Sequence, residues 1–360
     1  FFDKSEDAAV LGKIKPGQTL VVRGKITYNK FDNDMVLEPY NIVEGKAELR
    51  PDNAKEKRVE LHFHTRYSTL DALTDPAKAV QRAAAWGHPA IAVTDHGTAQ
   101  AFPEMSKAGK KYGVKIIYGP KDYKAHSKLL LVKRRAQGGG FDYVTQIGTG
   151  NYNEKTSAIY TDLMLLTADR EIAADAENVF NCLQNGTFVE STNKLLVAPL
   201  CLRPPVLEMM DEQIRIAKNG GKGYIAAKIN SLCDMVIMDK LVEASQAGVK
   251  VDLVVRGICC LIAGVEGYTE NITVRSIVGR FLEHSRIFIF GRDGKEQKIY
   301  IGSADYMPRN TIRRVEVAAP VEDERLKKRI REIFRTLMSD NTKARVMQSD
   351  GTYVRLTPAE

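Results

Sequence analysis

The hydrophobic pattern changes character along the chain. Residues 17–45 carry short β-rich runs at Thr19–Val22, Lys25–Tyr28 and Met35–Leu37, with a turn signal at Asp32–Asp34. This spacing predicts a small β-barrel over residues 1–57. From Arg58 the runs alternate in type. Val59–Phe63 is strand-like, Pro76–Trp86 has helical spacing with proline in its first turn, and Ala90–Thr94 is a short apolar strand. A helix at Phe102–Tyr112 and a strand at Val114–Tyr118 extend the series, which predicts an α/β unit over 58–119.

Past Lys121 the strand Leu129–Val132 leads through the basic, glycine-rich stretch Lys133–Gly140 to Tyr143–Ile147, and Glu171–Leu183 reads as a helix. Asn185–Thr192 reads as a linker. A second series then begins: helix Leu207–Asn219, strand Tyr224–Lys228, helix Asp234–Ala247, and strands Lys250–Val255, Ile287–Phe290 and Lys298–Ile301. The amphipathic helix Arg325–Leu337 closes it. The pattern predicts a multidomain α/β protein, with two further α/β units at 120–187 and 188–360.

Composition narrows this picture. With 360 residues and 44% hydrophobic positions, the chain has enough apolar material for several cores. No apolar run approaches the roughly 20 residues of a membrane helix, and the N-terminus lacks signal-peptide order, so a cytoplasmic location is expected. The opening at Phe1, in mid-pattern, is expected of a fragment. A formal charge of +8 points to an anionic partner without choosing among nucleic acid, nucleotide and polyphosphate. Cys182, Cys201, Cys233, Cys259 and Cys260 have no paired C-x-x-C spacing and are expected as reduced thiols.

The two later units share a constellation. His126-Ser127-Lys128 precedes Gly148-Thr149-Gly150-Asn151, and His284-Ser285-Arg286 precedes Gly302-Ser303-Ala304-Asp305. Each unit thus holds H-S-(K/R), a strand, then G-(T/S)-x-(N/D). A lone histidine on a strand is usually structural, and the repetition reverses that weighting. One histidine near neutral pKa can attack phosphorus while a second manages a proton. The residue two positions on points the same way along a strand, so Lys128 and Arg286 can bring positive charge to the same phosphate. The glycine turns offer backbone N–H groups, with Asn151 as a polar donor.

This duplicated pattern resembles the phospholipase D superfamily, in which each of two halves gives one histidine to a shared site. From Tyr123 onward the resemblance narrows to polyphosphate kinase. It is carried by Tyr123–Lys128, Ile147–Asn153, Tyr160-Thr161-Asp162, Val255–Cys260, Ser276–Arg286 and Gly302–Asn310. The resemblance implies that His126 is phosphorylated, that His284, Tyr160 and Arg256 contact ATP or ADP, and that Mg2+ travels with the nucleotide. Polyphosphate is the implied second substrate, and a homo-oligomer stays open. Arg256 suits phosphate through its bidentate fork, and Tyr160 suits an adenine ring. Arg309, Arg313 and Arg314 are candidates for a polyphosphate path or for an ordinary solvated turn.

The front resembles another family. Arg58–Thr65, Leu70-Asp71, Trp86-Gly87-His88, Ala92–Gly97 and Gln100–Pro103 are similar to the PHP domain of the PolC-type DNA polymerase III alpha subunit, and the preceding β segment is similar to that protein's OB domain. H-x-H on a strand aims both imidazoles to one side. His62, His64, Asp71 and His96 are the candidate ligands of a divalent metal in an incomplete PHP site, with His88 structural. DNA is a partner only under this reading, and Tyr28, Phe31 and Tyr40 are few for a stacking surface. A junction inside Gly113–Gly119 then implies a recombined fragment whose first catalytic unit lacks its N-terminal side. Four readings follow: a polyphosphate kinase, a polymerase fragment, a phosphodiesterase, and an inactive fusion. Tyr160, Arg256 and H-S-R in place of a second H-x-K favour the kinase.

Overall fold

The β-rich front forms two long strands, β1 (Thr19–Asn29) and β2 (Asp34–Gly45), paired antiparallel with a bulge at Arg23/Gly24. The computed structural model describes residues 12–30, 34–46, 51–117 and 119–358. Phe31, most of the Asp32–Asp34 turn and Tyr118 therefore lie outside the described residues. The chain divides into two units, Phe1–Ile116 and Ile117–Glu360.

In the first unit the expected barrel is not formed by the described residues, where β1 and β2 pair only with each other. Val21, Ile26, Met35 and Val43 stay more than half exposed, because a two-stranded ribbon has no second layer to bury them. The α/β pattern after Arg58 fares better. Strands β3 (Glu60–Phe63) and β4 (Ile91–Val93) pair in parallel, joined through helix α1 (Pro76–Trp86) and followed by α2 (Phe102–Tyr112). Asp75 caps α1 by accepting from the Lys78 N–H, Pro76 occupies its first turn, and Gly87 ends it in the left-handed region. Val80, Ala101, Met105 and Ala108 make a small core. Residues 114–117 form no strand: Val114 donates to the Gly109 carbonyl, and Val114 and Ile116 pack on this core instead of on a neighbouring strand.

The second unit has two halves. The first holds β5 (Lys124–Ala125), β6 (Lys128–Arg135), β7 (Phe141–Gly148), α3 (Glu154–Ser157), β8 (Tyr160–Thr161), β9 (Met164–Thr167) and α4 (Arg170–Asn185). Strands β6, β7 and β9 form an antiparallel sheet. Leu129, Leu131, Ile147 and Leu165 on one face pack against Ile172, Ala176 and Val179 of α4. The other face leaves Leu130, Val132, Val144, Met164 and Leu166 exposed, and among the described residues β6 pairs only with β7.

The second half contributes β10 (Leu196–Val197), α5 (Arg203–Lys218), β11 (Tyr224–Ile229), α6 (Met235–Gln246), β12 (Lys250–Val255), β13 (Ile272–Ser276) and β14 (Leu282–Glu283). After these come β15 (Arg286–Phe290), β16 (Lys298–Gly302), α7 (Pro308–Thr311), β17 (Arg314–Val315), β18 (Val317–Pro320), α8 (Glu324–Ser339), β19 (Arg345–Met347) and β20 (Tyr353–Arg355). Nine strands form one mixed sheet, ordered β10-β18-β16-β15-β11-β12-β13-β19-β20. Its central runs, such as Arg-Ile-Phe-Ile-Phe in β15, are apolar and buried throughout, since α5 and α6 cover one face and α8 the other.

Two devices hold the halves together. Ile147 of β7 shares a core with Leu195, Val317 and Ala319. The buried Asp175 carboxylate of α4 accepts from the N–H groups of Asn193, Lys194 and Leu195 in the connecting segment, while the Lys194 amine bridges Asp169 and Glu322 at 2.8 and 2.9 Å.

Candidate active site

Two very short parallel pairings cross between the halves of the second unit. β5 pairs with β17, matching Arg314 to Lys124 and Val315 to Ala125. β8 pairs with β14, matching Tyr160 to Leu282 and Thr161 to Glu283. The next residues in each register are His126 facing Glu316, and Asp162 facing His284. Each half therefore gives one histidine and the acid that serves the other half's histidine.

The contacts follow this register. His126 Nδ1 lies 2.9 Å from Glu316 Oε2. The Glu316 side chain is fully buried and also accepts from Ser303 Oγ at 2.5 Å and Asn310 Nδ2 at 2.6 Å. His284 Nδ1 lies 2.9 and 3.1 Å from the two Asp162 oxygens, and Thr149 Oγ1 donates to Asp162 at 2.6 Å. Thr149 and Ser303 are the hydroxyl residues of the two repeated glycine turns. Both turns thus orient an acid, beyond whatever they offer a phosphate. Gly150 leaves room for this: a Cβ there would sit 2.1 Å from Asp162 Oδ2.

The cations differ in commitment. Arg286 is buried and spends its guanidinium on Asp305 at 3.2 Å twice, the Thr149 carbonyl at 3.2 Å and the His284 carbonyl at 2.8 Å. One of its terminal nitrogens lies 3.0 Å from His284 Nε2 and 3.2 Å from Nδ1, close to both ring nitrogens, and the Asp162 carboxylate at Nδ1 is what favours a proton there. Lys128 is buried, donates to the His126 carbonyl, and has its pKa pushed down to about 8 chiefly by burial. Arg256 donates through Nε to Asn230 Oδ1 at 2.6 Å, and its terminal nitrogens have no hydrogen bond among the described residues. Burial, then Arg286, lowers the Arg256 pKa. Burial likewise lowers that of His284, against the pull of Asp162. The Tyr160 ring lies 4.7 Å from that of His284.

Asn151 is exposed, with its carbonyl accepting from the Asn153 N–H. Arg309 and Arg313 are exposed, while Arg314 is half-buried, 4.0 Å from Glu316. Sequence reading missed Glu316, Lys228 and Asn230, and gave Asp162 no role. The Lys228 side chain is 1% exposed, donates to the Ser285 carbonyl and hydroxyl at 3.0 and 2.9 Å, and pairs with Glu283 at 3.3 Å. Aligning the halves beyond their glycine turns would have exposed both acids, since Tyr160-Thr161-Asp162 and Arg314-Val315-Glu316 follow those turns in the same order.

The first unit gathers its own cluster. Ligand atoms of His64, Asp71 and His96 lie within 4.8 Å of one another, and His62 Nε2 sits 2.8 Å from His64 Nε2. His88 stands apart, bonded to Asp52 at 2.8 Å. Asp95 is spent on Thr65 and Ser68, pinning the loop after β3. The five cysteines are free thiols, and among the described residues no helix is long and apolar enough to cross a membrane.

Two histidines, each held by a carboxylate from the opposite α/β half, define a duplicated α/β protein with one site shared between its halves. Family profiles agree with it: polyphosphate kinase C-terminal domain 2 matches residues 195–360, and polyphosphate kinase C-terminal domain 1 matches 34–188. The polyphosphate kinase of Synechocystis is 48% identical over 250 residues, covering 69% of this chain and 34% of that protein. That of Bacillus cereus is 45% identical over 248 residues, covering 69% and 35%. The crystal structure of polyphosphate kinase from Porphyromonas gingivalis superposes with a TM-score of 0.67 at 30% identity, covering 83% of this chain and 46% of that one. The chain belongs to the polyphosphate kinase family, a phosphotransferase family, and carries its C-terminal region. It spans about a third of the length of the curated relatives it matches. The domain 1 match begins at residue 34, inside the segment whose motifs resemble a polymerase front, and that resemblance gains no support from these relatives.

Proposed function

We propose that the second unit transfers the terminal phosphate of ATP reversibly to polyphosphate through a phosphohistidine at His126. The crossed histidine–carboxylate pairs carry this reading. Glu316 accepts the Nδ1 proton of His126, which leaves the Nε2 lone pair free to attack the γ-phosphorus. As the N–P bond forms, the bond from that phosphorus to the bridging oxygen breaks and ADP leaves with the electron pair, while Glu316 faces the resulting imidazolium. In the second displacement a terminal polyphosphate oxygen attacks, and the N–P electron pair returns to Nε2. His284, held in its Nδ1–H form by Asp162, offers Nε2 to a proton on the incoming or leaving oxygen. The unpaired end of Arg256 and the amine of Lys128 supply charge to phosphate oxygens, with magnesium arriving as part of the nucleotide substrate. Tyr160, beside His284, offers a flat face to the adenine.

The test is incubation of the purified chain with γ-labelled ATP and magnesium, with His126→Ala alongside. Acid-labile label in the parent and none in the variant is the expected result. No label in either overturns the reading and leaves an inactive fusion.

A second reading concerns the first unit, where three imidazoles and a carboxylate converge. We propose a divalent cation site of His64, Asp71 and His96, with His62 adjacent, since imidazole and carboxylate donors suit zinc or manganese. This is the part of the polymerase-like front that the geometry favours. Calorimetry with zinc should give one equivalent bound and lost in Asp71→Ala; equal binding by both proteins counts against it.

A further inference from the structure

Two arginines bring charge to His284, and the structure treats them differently. Arg286 is saturated by Asp305, Thr149 and the His284 carbonyl. Arg256 has only its Nε engaged among the described residues, by the side-chain oxygen of Asn230 at 2.6 Å. Asn230 is 7% exposed and lies just past the end of β11. Every polar group it has is in use. Its amide nitrogen donates to Asp305 Oδ2 at 3.3 Å, its backbone N–H to Asp305 Oδ1 at 2.7 Å, and its carbonyl accepts from Gly257 N–H at 2.8 Å. Gly257 lies against that carbonyl so closely that a Cβ would come within 2.8 Å of it. One side chain therefore joins Arg256 to the carboxylate that fixes Arg286, and so to His284.

From this geometry we infer that Asn230 is the positioning residue of Arg256, rationing its donors so that Nε is occupied by protein and the terminal fork is kept for phosphate. The inference rests on the proposed nucleotide site. A guanidinium has five donors in a rigid fork, and unless one edge is held it can turn either edge toward a carboxylate. Asp305 lies nearby and contributes to the charge environment of Arg256. Without Asn230, Arg256 can swing onto Asp305 in competition with Arg286, which withdraws the fork from phosphate. An amide suits this position because it accepts from one cation and donates to one anion without charge of its own; aspartate would face Asp305 with like charge.

The test is a double-mutant cycle read by equilibrium binding of ATP with magnesium to the full chain. Asn230→Ala should weaken binding about tenfold in the parent and less than twofold in an Arg256→Ala background, with Asn230→Ser intermediate in the parent. Thermal melts identify any variant that loses the fold, and Asn230→Ser supplies the cycle if the alanine variant does. Equal weakening in both backgrounds would overturn the inference while leaving the nucleotide site intact. Failure of the parent itself to bind ATP would remove the site and the inference with it.

Discussion

The two halves of the second unit carry the same histidine–carboxylate pairing on unequal supports. In the second half, the strand that follows His284, β15, is paired on both edges, by β16 and β11, inside a nine-stranded sheet covered on both faces. In the first half the equivalent strand, β6, pairs among the described residues on one edge only, in a three-stranded sheet whose outer face they leave exposed. Yet His126 and His284 each make a 2.9 Å contact with an acid from the other half. The lesson is that the site is built at strand ends and crossing bridges, where register alone sets the pairs, and the size of the sheet behind matters less. The smaller half borrows rigidity, since Glu316 reaches it from the larger one.

Breaking the comparison at its chemistry should have the largest effect. His126→Ala is expected to abolish acid-labile labelling, whereas His284→Ala slows it by roughly 10²–10⁴ and leaves measurable label. Equal loss in both would make His284 as indispensable to labelling as His126 and would end this division of roles. Next come the crossed acids. Glu316→Gln should lower the rate of His126 labelling by roughly 10²-fold or more, although it sits in the opposite half, because the tautomer is no longer fixed. Asp162→Asn should act on the His284 step instead. Steady-state rates with an unchanged thermal melt would separate this from unfolding.

A smaller effect sharpens the packing side. Gly150→Ala places a methyl against Asp162 and should destabilise the fold by about 1–3 kcal/mol, read from thermal melting. The buried lysines give a pH signature. Lys128 and Lys228 both have pKa values lowered to about 8, so below that pH each is charged in folded and unfolded chains alike and the burial penalty is complete. Between about 8 and the ordinary lysine value the unfolded chain holds more protons, so stability should rise with pH. Affinity for ATP should fall as pH rises through about 8, where Lys128 loses its charge in the folded chain. Lys128→Arg should flatten that fall, and an unchanged profile would count against a phosphate role for the amine.

Much of this fold was legible in the chain. Pro76–Trp86 was bounded correctly because proline, an aspartate cap and a glycine stop all point to the same helix. Lys250–Val255 was legible as a buried apolar run. The barrel failed because β-rich alternation specifies strands without specifying partners. Val114–Ile117 failed because the same apolar residues that suit a strand also pack on a helix. In the site, the repeated H-S-(K/R) revealed the histidines, while Glu316 has no local motif and is marked only by the parallel order of Tyr160-Thr161-Asp162 and Arg314-Val315-Glu316 after the two glycine turns. Arg286, expected beside phosphate, is paired with Asp305, a partner that the repeated motif does not announce. Such long-range pairing is a property of the register between halves, which one linear pattern does not contain.

The central claim is that Glu316 fixes His126 with Nε2 as its reactive atom. Phosphorus–proton correlation NMR on the labelled chain reads the phosphorylated nitrogen directly. The account predicts a single phosphohistidine, bonded through Nε2 of His126. Phosphorus on Nδ1 of that ring, or on His284, would contradict it.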